Sequence, residues 1–266
     1  MRAGATYFGI DTAAYLADAV AALSALARPP DCVVVTGDLV NAGTPAEYAR
    51  FREVMEALPV PYFVVPGNHD DRDVLRAVLA PATYGGSRHA RVRYAIDDFD
   101  VRIVGVDANG PRPWPGAAFD AATLAWLEDA IASAPGRPTM LCVHHPPFRT
   151  GLHYLDAFGF RGARRLQRLL ERHAHVGRIV SGHIHCVRAR RVGAALACSA
   201  PSTAPQRLPL LLMDGTLVGL RAEAPGFAVH EWSDADGFTT TIYRRDAGDR
   251  YAQRALSAAA RDPGTT

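Results

Sequence analysis

Lysine is absent from this 266-residue chain: its 29 basic residues are all arginine. No P-loop, Schiff-base or kinase-type lysine can exist, so any phosphate chemistry falls to arginine, histidine, backbone N–H groups or metal. Cysteine is sparse. Cys32, Cys142, Cys186 and Cys198 are scattered without a C-x-x-C pair, which excludes a thiolate zinc site and a disulfide framework. Cys32 and Cys142 lie in apolar runs and read as small buried hydrophobes, so a reducing, cytoplasmic setting is expected. An excess of either charge is also missing. The net of +2 is too small to argue for nucleic acid or a membrane surface. No apolar run is long enough to span a bilayer, and residues 19–27, with Asp11 and Asp18 ahead of them, lack the basic run-in of a secretion signal.

What is present suits a globular domain. Hydrophobic residues make up 48% and charged residues 21%, enough apolar surface to build a core and too little charge for a disordered chain. Leu16, Val20, Leu23 and Ala27 recur at helical spacing, predicting a helix over 12–27 that Asp11 or Thr12 can cap and Pro29-Pro30 ends. Thr44-Pro45-Ala46-Glu47 is a capping box, followed by the apolar face Tyr48, Phe51, Met55 and Leu58. Short helices are expected near 71–79 and 162–173, and one with Leu124, Leu127 and Ile131 on one face. Buried strands are expected at 32–36, 62–65, 139–143 and 176–180, with a hairpin of 91–96 and 101–106. This alternation argues an α/β architecture. Shorter β segments follow at 187–191, 195–198, 210–213, 227–232 and 238–243, and the tail after Ala247 reads as frayed.

Each of the four hydrophobic strands ends in residues that can bind metal: Asp38, then Asn68-His69, then His144-His145, then His183 with His185. In open α/β sheets functional groups gather beyond the carboxyl ends of strands, so four strands sharing one edge would bring these together. Singly, each is an ordinary turn or cap residue; the pattern carries the inference. A mixed oxygen and imidazole set without thiolate suits Mn, Fe, Zn or Co better than Ca or a structural zinc. Asp38 is the only carboxylate among these turns that can bridge two cations, and neutral Asn68 keeps the site cationic enough for phosphate. His145 reads as an orienting or packing residue, and Asp70 as one that orients its turn. The arginines of 161–172 read as a solvated helix face, with no aromatic residues interleaved for nucleic-acid stacking.

Gly37-Asp38, Gly67-Asn68-His69-Asp70, His144-His145-Pro146-Pro147 and Gly182-His183-Ile184-His185 resemble the motifs of calcineurin-like metallophosphoesterases, closest to class III cyclic-nucleotide and glycerophosphodiester phosphodiesterases. The resemblance covers residues 5–205. It implies a four-layer α/β/β/α sandwich with a small C-terminal β extension: a metallophosphoesterase domain over 1–205, a β cap or dimerisation extension over 206–250 and a flexible tail over 251–266. It implies two divalent or trivalent metal ions. Asp38 would bridge them, Asn68, His144 and His183 would complete one, His185 would belong to the other, and His69 would protonate the leaving oxygen. The implied reaction is attack of metal-activated hydroxide on a small phosphodiester, with a homodimer as the one macromolecular partner. The walls of the cleft, not the ligands, would separate this from a monoesterase or nuclease.

One part of the family pattern is missing: no Asp-x-His precedes Asp38, so the first strand and two ligands of the second metal are expected to be lacking. Two explanations stand side by side, a start placed too late and a natural variant with an incomplete second site. The second would make a catalytically weak metal-binding or interaction protein. In-frame Asp-x-His codons upstream of Met1 would decide for the first.

Overall fold

A computed structural model describes residues 9–79, 84, 87, 89–111, 114, 116–211, 217–246 and 251–254, with side chains at all of these except 207–211, 217, 218, 220, 221 and 251–254. Helix α1 (Thr12–Ser24) starts where Asp11 accepts hydrogen bonds from the Ala13 and Ala14 amides. It stops three residues short of the expected end. There the Ser24 hydroxyl donates to the Val20 carbonyl, a side-chain bond that competes with the helical ladder. Strand β1 (Val33–Val35) leads to α2 (Pro45–Met55), whose Thr44–Glu47 capping box is formed in both directions. Strand β2 (Tyr62–Val64) is followed by α3 (Arg72–Val78), capped by Asp71. The expected hairpin is β3 (Arg93–Ile96) with β4 (Arg102–Val106). Then come β5 (Ala117–Ala118), α4 (Ala121–Ala132), β6 (Thr139–Cys142), α5 (His153–Asp156), β7 (Phe160–Arg161), α6 (Ala163–Arg172), β8 (Val176–Ser181), β9 (Ala189–Val192) and β10 (Ala195–Ser199).

The layers follow from strand alternation. The six-stranded sheet runs in the order β3-β4-β6-β8-β10-β9, parallel among β4, β6, β8 and β10. Successive side chains face opposite sides. Val104, Leu141, Val143 and Ile179 pack against Leu127 of α4 and Leu166 and Leu170 of α6. Their neighbours Ile103, Cys142 and Val180 face the other way, onto a second core with Val33, Val34 and Val64 of β1 and β2 and Leu16, Val20 and Phe51 of α1 and α2. The result is the α/β/β/α order. β1 and β2 pair in parallel with each other, in register Val33 to Tyr62, and among the described residues with no other strand. The expectation of one continuous sheet edge is therefore corrected. The four chemistry-bearing strands belong to two sheets packed face to face, because the apolar alternation of β6 and β8 offers β1 and β2 a face to bury rather than an edge to pair.

The C-terminal segments also differ from expectation. The strand expected at 210–213 overlaps β11 (Gln206–Leu211) at residues 210 and 211, residues 212 and 213 lying outside the described residues, and its partner β12 (Leu217–Glu223) has no counterpart among the expected strands. β13 (Gly226–Ser233) and β14 (Gly237–Arg245) form the expected hairpin, and β15 (Tyr251–Arg254) adds to it in a stretch expected to be frayed. Short polar and alanine-rich sequence hides such a strand, since its backbone bonds need only a partner edge. The remainder of that tail, 248–250 and 255–266, lies outside the described residues. The hairpin docks on β8 through Arg178. This arginine is 3% exposed, donates from Nη2 to the Phe238 carbonyl at 2.8 Å, and lies 5.3 Å from the centre of the Phe238 ring. His230, within hydrogen-bond distance of the Thr240 hydroxyl at 2.9 Å, sits beside it.

Burial of His230 and the charge of Arg178 push its pKa down to about 3 from 6.5. The folded imidazole stays neutral where the unfolded one would take up a proton. The stability it contributes is complete above pH 6.5 and is lost as pH falls from 6.5 towards 3. The thermal midpoint should decline over that window, and His230→Gln should flatten the decline. A variant with the same acid slope as the parent contradicts the assignment.

Candidate metal centre

The turns beyond four strands meet at one place. Asp38 follows β1, Asn68 and His69 follow β2, His144 and His145 follow β6, and His183 and His185 follow β8. The β6–β8 ladder continues past the strands: the Gly182 amide donates to the His144 carbonyl at 2.9 Å, tying two of these turns together through the main chain. Asp38, His183 and His185 adopt left-handed backbone, φ 54°, 64° and 56°. For a side chain other than glycine that conformation costs on the order of 1–2 kcal/mol per residue. Such strain is held only where surrounding contacts fix it. Two glycines permit the close approach. A Cβ at Gly67 would lie 2.1 Å from Asp38 Oδ1, and one at Gly37 2.4 Å from His144 Nδ1.

Four donor atoms converge. His144 Nε2 lies 3.2 Å from Asn68 Oδ1 and 3.3 Å from Asp38 Oδ2. His183 Nδ1 lies 3.0 Å from Asn68 Oδ1 and 3.2 Å from His144 Nε2. His144 Nδ1 sits 2.7 Å from the Thr36 carbonyl, which can only accept, so Nδ1 carries the hydrogen. A neutral His144 then aims its Nε2 lone pair at two oxygens that are themselves acceptors. A hydrogen on His183 Nδ1 can serve Asn68 Oδ1 or His144 Nε2, but the contact of His144 Nε2 with the Asp38 carboxylate is met only by an extra proton or a metal ion. Nitrogen and oxygen ligands about 2.0–2.2 Å from a tetrahedral metal are roughly 3.3 Å apart, close to the separations seen. The donor set therefore fits a borderline cation.

The protonation preferences agree. Burial resists charge on Asp38, but the His144 charge and hydrogen bond, with the His69 amide bond at 3.0 Å, outweigh it and hold the carboxyl well below its usual range. Burial also resists charge on His144, yet Asp38 wins and its pKa is raised. His183 moves the other way, down to about 2, through burial and the crowding charges of His144 and His145. It remains a neutral imidazole with a lone pair to give, as metal ligation requires. His185 is likewise lowered by burial, against the pull of Asp38 and a hydrogen bond with Gln206.

Asp38, Asn68 and His183 thus each touch His144, His183 also touches Asn68, and His185 lies within electrostatic reach of Asp38. The His69 ring is turned outward, exposed, with Nδ1 3.1 Å from the Asn41 carbonyl. His145 is more central than a packing role implies. It is 4% exposed, its ring lies 4.2 Å from that of His183, and it groups with His144 and His183 as a trio of converging imidazoles. Asp70 does orient its turn: its carboxylate accepts from the Leu39 and Gly67 amides and from the Tyr48 hydroxyl, clamping the Asp38 and Asn68 turns together. Tyr48 was legible only as part of an apolar helix face. Thr36 acts through its carbonyl, which no side-chain pattern reveals.

Residues 11–187 match the model of the calcineurin-like phosphoesterase family. The chain is 38% identical over 201 residues to the glycerophosphodiester phosphodiesterase GpdQ of Enterobacter lignolyticus (strain SCF1), covering 75% of this chain and 72% of that protein. It is 30% identical over 223 residues to the 3',5'-cyclic adenosine monophosphate phosphodiesterase CpdA of Escherichia coli (strain K12), covering 83% and 76%. The solved dimetal phosphatase from Danio rerio superposes with a TM-score of 0.58 at 14% identity, over 87% of this chain and 82% of that one, a likeness of fold.

Gly67→Ala should displace Asp38 while leaving both cores intact. With Mn at 100 times its dissociation constant, the parent chain should gain about 2.7 kcal/mol of stability. The variant should gain none, and an equal gain in both would refute the placement of Asp38 at the centre.

Proposed function

The chain belongs to the calcineurin-like phosphoesterase family, and from that premise we propose that it hydrolyses a small phosphodiester, a cyclic nucleotide or a glycerophosphodiester, with two bound cations of the Mn, Fe, Zn or Co kind. The observation that carries this reading is the convergence of ligand atoms around His144 Nε2, which lies 3.2–3.3 Å from Asn68 Oδ1, Asp38 Oδ2 and His183 Nδ1, with His183 Nδ1 also 3.0 Å from Asn68 Oδ1 and the lone pair of His144 locked inward. The relatives named for glycerophosphodiesters and for cyclic adenosine monophosphate support the substrate class.

Asp38, Asn68, His144 and His183 would hold one cation, and Asp38 with His185 the other. Bound there, the cations would supply Lewis-acid charge that polarises water and the phosphoryl oxygens. Asp38 is the one anionic side chain of the set, so the charge left over favours an anionic diester. Asn68 adds a ligand oxygen without adding negative charge. His69 fixes its backbone amide on Asp38 and its Nδ1 hydrogen on the Asn41 carbonyl, so Nε2 is the atom that would take up a second proton and, from that imidazolium, hand it to the departing alcohol oxygen. A P–O bond to water oxygen would form as that water gives up a proton, the ester P–O bond would break as the alcohol oxygen takes the proton from His69, the released proton would restore the His69 imidazolium, and the products would be a phosphomonoester and an alcohol. In a cyclic nucleotide both remain one molecule.

A second reading is a metal-binding protein with weak turnover. It is favoured by one observation: His144, His145 and His183 are the only cluster of three or more such ligands among the described residues, and Asp38 and His185 stand alone for a second cation. Metal content separates the two. Two tightly bound ions per chain support the hydrolase, and one supports the alternative.

An aryl phosphodiester such as bis(p-nitrophenyl) phosphate should be hydrolysed with added Mn and spared after chelation. Asn68→Ala and His183→Ala should each lower kcat/KM by more than ~100-fold, beyond the 10–100-fold typical of groups that only support a ligand. Unchanged turnover in both variants would sink the assignment.

A further inference from the structure

We propose that Asp107-Ala108-Asn109, a segment outside the motifs, is a strap that positions Asn68 and His69, with Asn109 as its key positioning residue. The loop from Pro66 to Asp71 carries both side chains between β2 and α3. Its entry is held by Asn109, whose Nδ2 donates to the Gly67 carbonyl at 2.8 Å and the Pro66 carbonyl at 3.1 Å. Its exit is held by Asp107. That carboxylate is fully buried and accepts from Nε of Arg72, the first residue of α3, at 2.8 Å. The other Asp107 oxygen accepts the Asn109 amide at 2.9 Å, so the two anchors are coupled to each other. One short segment beyond the end of β4 thus grips the loop at both ends.

The chemistry of the grip is directional. Both amide hydrogens of Asn109 are spent on carbonyls, while its Oδ1 accepts no hydrogen bond among the described residues. The side chain is held there as a donor. The backbone that carries Asn109 is itself anchored, since Nη1 of Arg91 donates to its carbonyl at 2.7 Å and to that of Asp107 at 3.1 Å. The Gly67 carbonyl belongs to the peptide that enters Asn68, whose Oδ1 stands 3.0 Å from His183 Nδ1. On the opposite side the Gly67 amide is pinned by Asp70. With Asn109 removed, that peptide can tilt about its remaining anchor and carry the Asn68 oxygen off the convergence point. The inference requires the metal centre and is independent of which diester is cleaved.

The test is titration of metal-free protein with Mn by calorimetry, together with amide hydrogen exchange of residues 67–71 in the metal-free state. Asn109→Ala should weaken Mn binding 10–100-fold, speed exchange in that loop, and leave exchange in β6 and β8 unchanged. Saturating Mn should restore most of kcat, since the defect lies in placing a ligand. Asn109→Asp sets an acceptor against two carbonyls and should be at least as impaired as Asn109→Ala. If Asn109→Ala fails to fold, Asn109→Ser, which keeps a small donor too short to reach both carbonyls, should give the same pattern. Parent-like Mn affinity in the folded variant, or faster exchange spread over both sheets, overturns the proposal. Loss of Mn binding without any hydrolysis by the parent would leave the strap standing and reject the hydrolase.

Discussion

A single hydrogen bond sets the chemistry of this fold. The Thr36 carbonyl takes the Nδ1 hydrogen of His144, and the Nε2 lone pair then has nowhere to point except into a group of oxygens and another imidazole. Rotating the ring or shifting the tautomer would break a bond made deep in the protein, where an unmet carbonyl is expensive. The arrangement is stable when positive charge enters. A proton supplies it partly, which is why His144 favours its charged form, but one proton cannot satisfy donors from four different turns. A cation with several open positions can.

Everything near this bond serves to keep the four turns in step. Asp70 links the turn after β1 to the turn after β2, the main-chain bond from Gly182 to His144 links those after β6 and β8, and the Thr36 carbonyl links the two pairs. The three left-handed residues show how much the surroundings enforce. Asp38, His183 and His185 hold a backbone conformation that would relax in an isolated peptide. Strain of this kind is the counterpart of preorganisation: ligands aimed before the metal arrives need less rearrangement when it binds.

The absence of lysine acquires a meaning at this site. Negative charge on a substrate would be met by metal ions, by imidazole and by arginine, and arginine in this protein is often committed to architecture. Arg178 is buried under the C-terminal hairpin, Arg102 binds the C-terminal end of α4 through the Ala130 carbonyl, and Arg72 closes the loop around Asn68. Arg102 and Arg178 are planar, multiply donating groups each fixed by more than one acceptor, a role for which a flexible ammonium is poorly suited. The arginines at 164, 165, 168 and 172 on α6 remain exposed, as a solvated face requires.

By itself the sequence determined the parts: which runs are strands and helices, the capping box at Thr44, and the metal-competent residues at the ends of four strands. Local periodicity and residue chemistry suffice for these, because each is decided within a few positions. It was silent on β12 and β15, whose composition carries no strong β signal, and on Asn109, which sits in a Pro/Gly-rich loop like any turn residue. The tertiary structure alone decided which of the four turns comes from which of the two packed sheets, that His145 joins the cluster, and that Asp107 and Asn109 grip the ligand loop. His183 and Asn68 touch across 115 positions of chain, and His144 and Thr36 across 108. Such contacts depend on how apolar faces stack and on backbone carbonyls, and neither is written in the identity of the residues that meet.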